Sequence, residues 1–306
     1  MSKAQKTFKE TDERIAAELV AKIDAYEADG NAKGWTMPWD ALSGFPVNAT
    51  TGRSYGGSYN AMIMLFAGAN YGDQRWAGAS QWRKSGNLVK KGEKGLTIFF
   101  PRFLCASCDN FAGFAKKCKK CGNDLTKAGG KKMIGFGTSV VFNNQQTQNP
   151  IPVPEVKEVD PQVGFKAAAD LVSKAGADVR HGGGRAYYRP SDDFIMLPEA
   201  GSFHTVADYW ATSLHEHAHW TGHSTRLNRK GVASIGSGGR EAYAYEELVA
   251  EIAASFLCKH VGVDREGLDT QHVAYLASWR KAVKSDPSII RKAVGEAGQV
   301  LRFLTK

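Results

Sequence analysis

Apolar residues recur at helical spacing near the start of the chain, with Ile15, Leu19, Ile23 and Tyr26 on one face. Thr11 can cap this segment, Asp12 and Glu13 suit its first turn and Gly30 ends it, which predicts a helix over 11–29. From 35 to 102 the periodicity gives way to glycine, aromatic and basic residues, as in WTMPW, NATTGRSYGGSYN and RWAGASQWRKSG. The apolar run LTIFF after EKG predicts a strand, and TSVVF at 138–142 predicts its partner. Further on, Phe165, Ala168, Leu171, Val172 and Ala175 form a helical stripe that stops at Gly176, and AYYRPSDDFIML predicts two short strands around a Pro-Ser-Asp-Asp turn. Helices predicted over 204–221, 241–261, 270–284 and 287–304 then dominate. The pattern is α+β, with one small sheet in a largely helical second half.

A length of 306 residues is enough for two domains at roughly 100–200 residues each. The segment QNPIPVPEVKEVDP carries four of the ten prolines and favours extended structure. It divides the chain into domains at 1–148 and 161–306 with a linker at 149–160. No apolar run approaches the ~18 residues needed to cross a bilayer. The opening MSKAQKTFKETDER lacks the apolar stretch of a signal peptide. The expectation is a cytoplasmic chain with no membrane partner.

Charge separates the halves more sharply than hydropathy does. Residues 1–150 hold 21 Lys and Arg against 12 Asp and Glu, whereas 151–306 hold 19 against 19, so the whole net charge of +9 lies in the first half. Between Arg53 and Lys132 the ratio is 15 to 4, a field that attracts polyanions and nucleic acid above all. Cations and aromatics are interleaved there: Trp35, Trp39, Arg53, Tyr55, Tyr59, Asn60, Trp82, Arg83, Lys84, Lys90, Lys91 and Lys94 are the candidate DNA-binding residues. Cations track a phosphate backbone and exposed aromatic faces stack unpaired bases, which points to single-stranded DNA. Tryptophans ordinarily sit in cores, so the lysines and Arg53 carry this assignment.

Four of the five cysteines lie within CASCDNFAGFAKKCKKCG. Cys105 and Cys108, then Cys118 and Cys121, form two C-x-x-C pairs separated by nine residues, the spacing of a closed, structural four-cysteine zinc site inserted at 103–123. The segment between the pairs is too polar to order itself, so a metal is the simplest way to hold it. Cys258, within AASFLCKH, reads as a small buried hydrophobe.

The second half contains TSLHEHAHWTGHSTRLNR, in which His215, Glu216 and His219 form H-E-x-x-H. On a helix, positions four apart share a face, so both imidazoles can hold one zinc while Glu216 reaches water as the catalytic base. A catalytic zinc takes three protein ligands. In YAYEELVAEIAASF, Glu247 and Glu251 share a helical face beside a closely packing alanine side. Glu247 is assigned as third ligand and Glu251 as the acceptor of a ligand histidine's other N–H. Glu246 is expected to be exposed, His217 to face away from the metal, and His223 is a rival ligand. Tyr243, Tyr245, His223 and Arg240 are the nearby candidates for stabilising an oxyanion. This chemistry is zinc-dependent peptide hydrolysis.

Five ordered motifs, PVNATTGRSYGGSYNAMIML, QWRKSGNLVKKGEKG, VVFNNQQT, HEHAHWTGHSTRLNR and YAYEELVAEIAASFLC, make residues 10–304 resemble the ArdC-type antirestriction proteins of plasmids and phages. The resemblance implies an N-terminal single-stranded-DNA-binding domain, a C-terminal zincin-like metallopeptidase domain and protection of incoming DNA. It also implies metal and base roles for His215, Glu216 and His219, and makes EELVAE similar to the gluzincin pattern of a ligand Glu with an acidic partner four residues on. The four-cysteine insert departs from that family's pattern. Two functions follow: a DNA-directed peptidase acting on a protein substrate, or a binding protein with a vestigial zincin site that shields DNA or blocks a restriction enzyme.

Overall fold

The computed structural model describes residues 3–29, 37–40, 44–68, 70–113, 115–152, 161–235, 240–264 and 275–306. Trp35, most of the proline-rich linker and positions 270–274 of a predicted helix lie outside them. The first helix, α1, runs over Lys3–Ala28 and so begins eight residues before Thr11. Lys6–Glu10, Lys9–Glu13 and Arg14–Glu18 pair across successive turns. Thr11 is therefore no cap: it is buried mid-helix, its Oγ1 donating to the Thr7 carbonyl at 2.8 Å.

The first sheet has strand order β1-β2-β4-β3, with β1 at Val47–Asn48, β2 at Arg75–Ala77, β3 at Leu96–Cys105 and β4 at Lys131–Asn143. Helix α2 spans Tyr59–Gly68 and α3 spans Ala79–Lys84. The predicted pairing of LTIFF with TSVVF forms the base of a long antiparallel hairpin, Leu96 opposite Val141 through to Cys105 opposite Lys131. Gly137 has a steric reason: a Cβ there would lie 2.5 Å from the ring of Phe100, its cross-strand partner. The cysteine insert is thus the loop at the far end of this hairpin.

In the second half, α4 covers Pro161–Ala175. The small sheet has order β5-β7-β6, with β5 at Asp178–His181, β6 at Tyr187–Arg189 and β7 at Phe194–Leu197. The last two are the strands predicted around the turn. The first, DVRH, is short and largely exposed and gave no apolar signal. Helices α5 (Val206–Trp220), α6 (Arg240–Val261), α7 (Leu276–Ser285) and α8 (Ile289–Leu304) complete the fold.

One hydrophobic core runs through both halves. Ile15, Leu19 and Ile23 of α1 and Met62 and Ile63 of α2 share it with Phe256 of α6, Trp279 of α7 and Val294 of α8. Trp39 and Trp82 are completely buried, which corrects their assignment to DNA: a ring with no exposed face cannot stack a base. Trp82 Nε1 donates instead to the Phe142 carbonyl at 3.1 Å. Tyr59 donates to Asp12 at 2.5 Å, and Asn60 makes two hydrogen bonds with the Phe99 backbone, so both are framework residues rather than base contacts. Tyr55 is half-buried against Met64 and Trp76. Arg53, Arg83, Lys84, Lys90, Lys91 and Lys94 are exposed.

Because α1 belongs to the core of the second half, Leu19→Ala should lower stability by about 2–5 kcal/mol. Circular dichroism and tryptophan fluorescence should shift together. Two resolved transitions, with that of α6–α8 unmoved, would contradict a shared core.

Candidate metal centres

The capping box of α5 fixes where the H-E-x-x-H helix starts: Asp208 N donates to Thr205 Oγ1 and Thr205 N to Asp208 Oδ2, both at 3.0 Å. One helical turn apart, His215 and His219 bring their Nε2 atoms within 3.1 Å of each other. Glu247 reaches in from α6, its Oε2 lying 3.5 Å from His215 Nε2 and its Oε1 3.5 Å from His219 Nε2. All three side chains are buried, and one donor atom from each falls within a 4.8 Å cluster. Glu216 is buried next to His215, and hydrogen bonding from the Tyr188 backbone ties it to the edge strand β6. His223 lies outside the cluster and bonds Thr225 Oγ1 at 2.8 Å.

The far nitrogen of each imidazole faces a carboxylate. His215 Nδ1 lies 3.4 Å from Glu251 Oε2, and His219 Nδ1 lies 3.2 Å from Glu246 Oε1. Glu246 is thus not the exposed residue expected from sequence but is completely buried. Arg229 clamps it from the loop after α5, with Nη2 to Oε1 at 2.6 Å and Nε to Oε2 at 3.1 Å. The guanidinium also donates to the Thr221 hydroxyl and the Ala218 carbonyl. Gly222 is required by this approach: a Cβ there would lie 2.3 Å from Val232 and 2.8 Å from Arg229 Nη2. A sequence signal for Glu246 existed. α6 is apolar on nearly every side from Leu248 to Cys258 and so has no solvent face to offer a charge.

The electrostatics call for a cation. Burial opposes charge on His215, but Glu247 and Glu251 outweigh it and push the imidazole up to about 9. Burial likewise opposes charge on His219, and Glu247 with Glu246 pushes it up to about 10. Glu247 is held well below the usual carboxylate range, because the two histidines overcome its burial. Burial raises Glu216. Two imidazole nitrogens converging with a carboxylate that pulls both toward the cationic form is a donor set that fits a divalent metal. His217, by contrast, faces away. Burial lowers it to about 4, and its Nδ1 donates to the Ser213 carbonyl at 2.7 Å.

Of the oxyanion candidates, Tyr245 is committed to Glu296 at 2.9 Å, and the side chain of Arg240 is outside the described residues. Tyr243 stands beside Glu247, its pKa raised by burial first and by that carboxylate second. Tyr275, which sequence reasoning passed over, donates to Tyr243 at 3.3 Å and feels the charges of Glu247 and Glu216. It is 32 positions from Tyr243 in the chain, and no local pattern marks it.

The second cluster closes the β3–β4 hairpin. Cys105 Sγ lies 3.6 Å from Cys121 Sγ and Cys108 Sγ 3.6 Å from Cys118 Sγ, with all four within 4.8 Å. Each C-x-x-C pair forms the same tight turn, Cys105 N donating to the Asn110 carbonyl and Cys118 N to the Asn123 carbonyl, both at 2.8 Å. Burial works against a thiolate at Cys105, yet the amides of Ser107 and Cys108 and its neighbouring thiol lower it to about 6. Cys108 is pushed up to about 12: the neighbouring thiols prevail over a favourable Asn110 amide. Four thiolates at this spacing would repel one another without a cation, and the donor set fits one.

Arg229→Met should cost about 3–5 kcal/mol by leaving Glu246 buried and unpaired, and the double variant with Glu246→Leu should regain much of that loss. Denaturant midpoints of the three proteins check this.

Residues 166–296 match the zincin-like metallopeptidase family model, and residues 9–134 match that of the N-terminal domain of anti-restriction factor ArdC. Two DNA primases TraC of Escherichia coli are 34% and 33% identical over 99% and 94% of this chain. The chain spans only 27% and 19% of their lengths. Protein y4eC of Sinorhizobium fredii is 30% identical over 95% of this chain and 90% of its own length. Crystal structures of the antirestriction ArdC protein from plasmid R388 superpose with TM-scores of 0.65 metal-free and 0.66 with Mn(II) bound. At 28% identity the first covers 94% of this chain and 95% of its own, and the second 95% and 96%. Paired matches in chain order, with full-length likeness to these structures, show that the chain belongs to the ArdC-type antirestriction family, with its zincin-like domain in the second half.

Proposed function

We propose that the chain protects incoming DNA by binding it in single-stranded form through the basic first half and hydrolysing a peptide bond of a nearby protein at the α5–α6 centre. The observation that carries this reading is the convergence of buried His215, His219 and Glu247 with Glu216 beside them. A primase among the relatives and an ArdC structure with Mn(II) support DNA handling and a divalent metal. Zinc suits the nitrogen-rich donor set. Among the described residues no helix is long and apolar enough to cross a membrane.

A divalent cation held by His215, His219 and Glu247 would polarise a peptide carbonyl and acidify water. Glu216 would take the proton from the attacking water and pass it to the leaving amine, a role supported by burial, which raises its pKa above that of an ordinary carboxylate. Glu251 and Glu246 orient the two imidazoles through their Nδ1 atoms. The paired hydroxyls of Tyr243 and Tyr275 are the donors nearest in character to an oxyanion site. Arg53, Arg83, Lys84, Lys90, Lys91 and Lys94 remain as backbone contacts for DNA, since they are exposed.

Elemental analysis should find about two metal ions per chain. Cys118→Ser with Cys121→Ser should remove one and leave the other. Glu247→Ala should strip the α5–α6 ion, whereas His223→Ala should keep both, and full occupancy in Glu247→Ala would refute the ligand assignment.

The function itself is tested by Glu216→Ala, which should keep its metal yet lose protection of DNA entering a restricting host. Undiminished protection would favour the binding protein with a vestigial centre.

A further inference from the structure

The loop at 105–130 is an insert whose own core consists of Cys105, Ala112, Cys118 and Leu125. Closing the hairpin needs none of its lysines. Lys116, Lys119, Lys120 and Lys127 are nevertheless all exposed, and none of the four makes an ion pair among the described residues. The acidic residues of the loop, Asp109 and Asp124, are engaged elsewhere: Asp109 pairs with Lys132 at 2.5 Å, and Asp124 caps its own turn at Thr126. Beside this uncompensated charge stands a bare aromatic. Phe111, next to the first C-x-x-C turn, is 57% exposed, with Arg102 5.9 Å from its ring centre. A large apolar ring left in solvent among unpaired cations has the composition of a surface that stacks a base and follows a phosphate backbone.

Its position matters as much as its chemistry. The loop starts at the end of β3 and returns at the start of β4. Lys90, at the opposite end of β4, donates to the Gln145 carbonyl just beyond Asn143. The 13 residues of β4 therefore separate the two cationic groups by about 40 Å at the rise of ~3.4 Å per residue of an antiparallel strand. The cleft between α1, the hairpin and α8 is a weaker candidate, because its Asp12, Tyr59 and Arg291 already satisfy one another.

We propose that the four-cysteine loop is a second DNA-contacting element, in which Lys116, Lys119, Lys120 and Lys127 hold the phosphate backbone of a single strand and Phe111 stacks one of its bases. The proposal rests on the DNA-binding reading above and adds a site that the tryptophans of the first half cannot supply, since the described ones assigned there are buried. A metal held by the four cysteines would keep the loop in shape.

The test uses the full chain with a 30-nucleotide oligo(dT) and follows fluorescence anisotropy across a salt series. Replacing the four lysines by glutamine should make the plot of log affinity against log salt shallower by about 2–3, at roughly 0.7 for each phosphate of a single strand that is no longer neutralised. Phe111→Ala should weaken binding about tenfold without changing that slope, as removal of one stacking platform does. Both variants must keep two metal ions, which separates a binding defect from a folding defect. An unchanged affinity and slope in the lysine variant overturns the proposal while leaving the DNA reading standing. Tighter binding to a 30-base-pair duplex overturns the single-strand occupant. No binding by the unaltered chain overturns both readings together.

Discussion

Four carboxylates lie buried where α5 and α6 meet, and their charge has to be balanced inside the protein. Glu216, Glu246, Glu247 and Glu251 are shielded from bulk water, and an unpaired carboxylate in such surroundings costs several kcal/mol. Arg229 neutralises one of them, and burial raises Glu216 toward its neutral form. The remaining negative charge falls on His215 and His219, which are pulled toward the cation for that reason. A divalent ion held by His215, His219 and Glu247 would offset this imbalance and leave both imidazoles neutral.

That constraint organises its surroundings. Arg229 must enter beneath the end of α5, so position 222 can carry no side chain. The loop that delivers Arg229 is held from outside by Arg226, which pairs with Asp193 and lies 3.9 Å above the Trp220 ring. Asp193 also accepts from Tyr188 on β6 at 2.7 Å. The edge strand, Glu216 and the candidate metal ligands are thereby fixed in one frame.

The same demand for a cation recurs at the hairpin tip with a different solution. There four sulfurs lie in a small core with Ala112 and Leu125, and a metal bound by them would contribute folding energy rather than chemistry. The two halves are joined by apolar burial, with α1 laid across α7 and α8, and by ion pairs at its edges, Arg280 with Asp24 and Glu27 and Arg291 with Asp12. The linker at 149–160 marks a change of charge and composition, and the core crosses it.

The sequence by itself determined the features that local geometry fixes. A helix places His215 and His219 on one face whatever surrounds it, two C-x-x-C turns converge at short range, and LTIFF and TSVVF pair as adjacent strands. Glu247 and Glu251 were legible for the same reason, sharing a face of one helix. What depends on elements distant in the chain was not. Glu246 reads as a surface residue until Arg229 is seen to reach it, Tyr275 is an ordinary tyrosine until α7 brings it to Tyr243, and Trp39 and Trp82 look like base-stacking rings until the core closes over them. Composition records which side chains are available. Only tertiary packing decides which of them keep a face in water, because burial is a property of all the elements together.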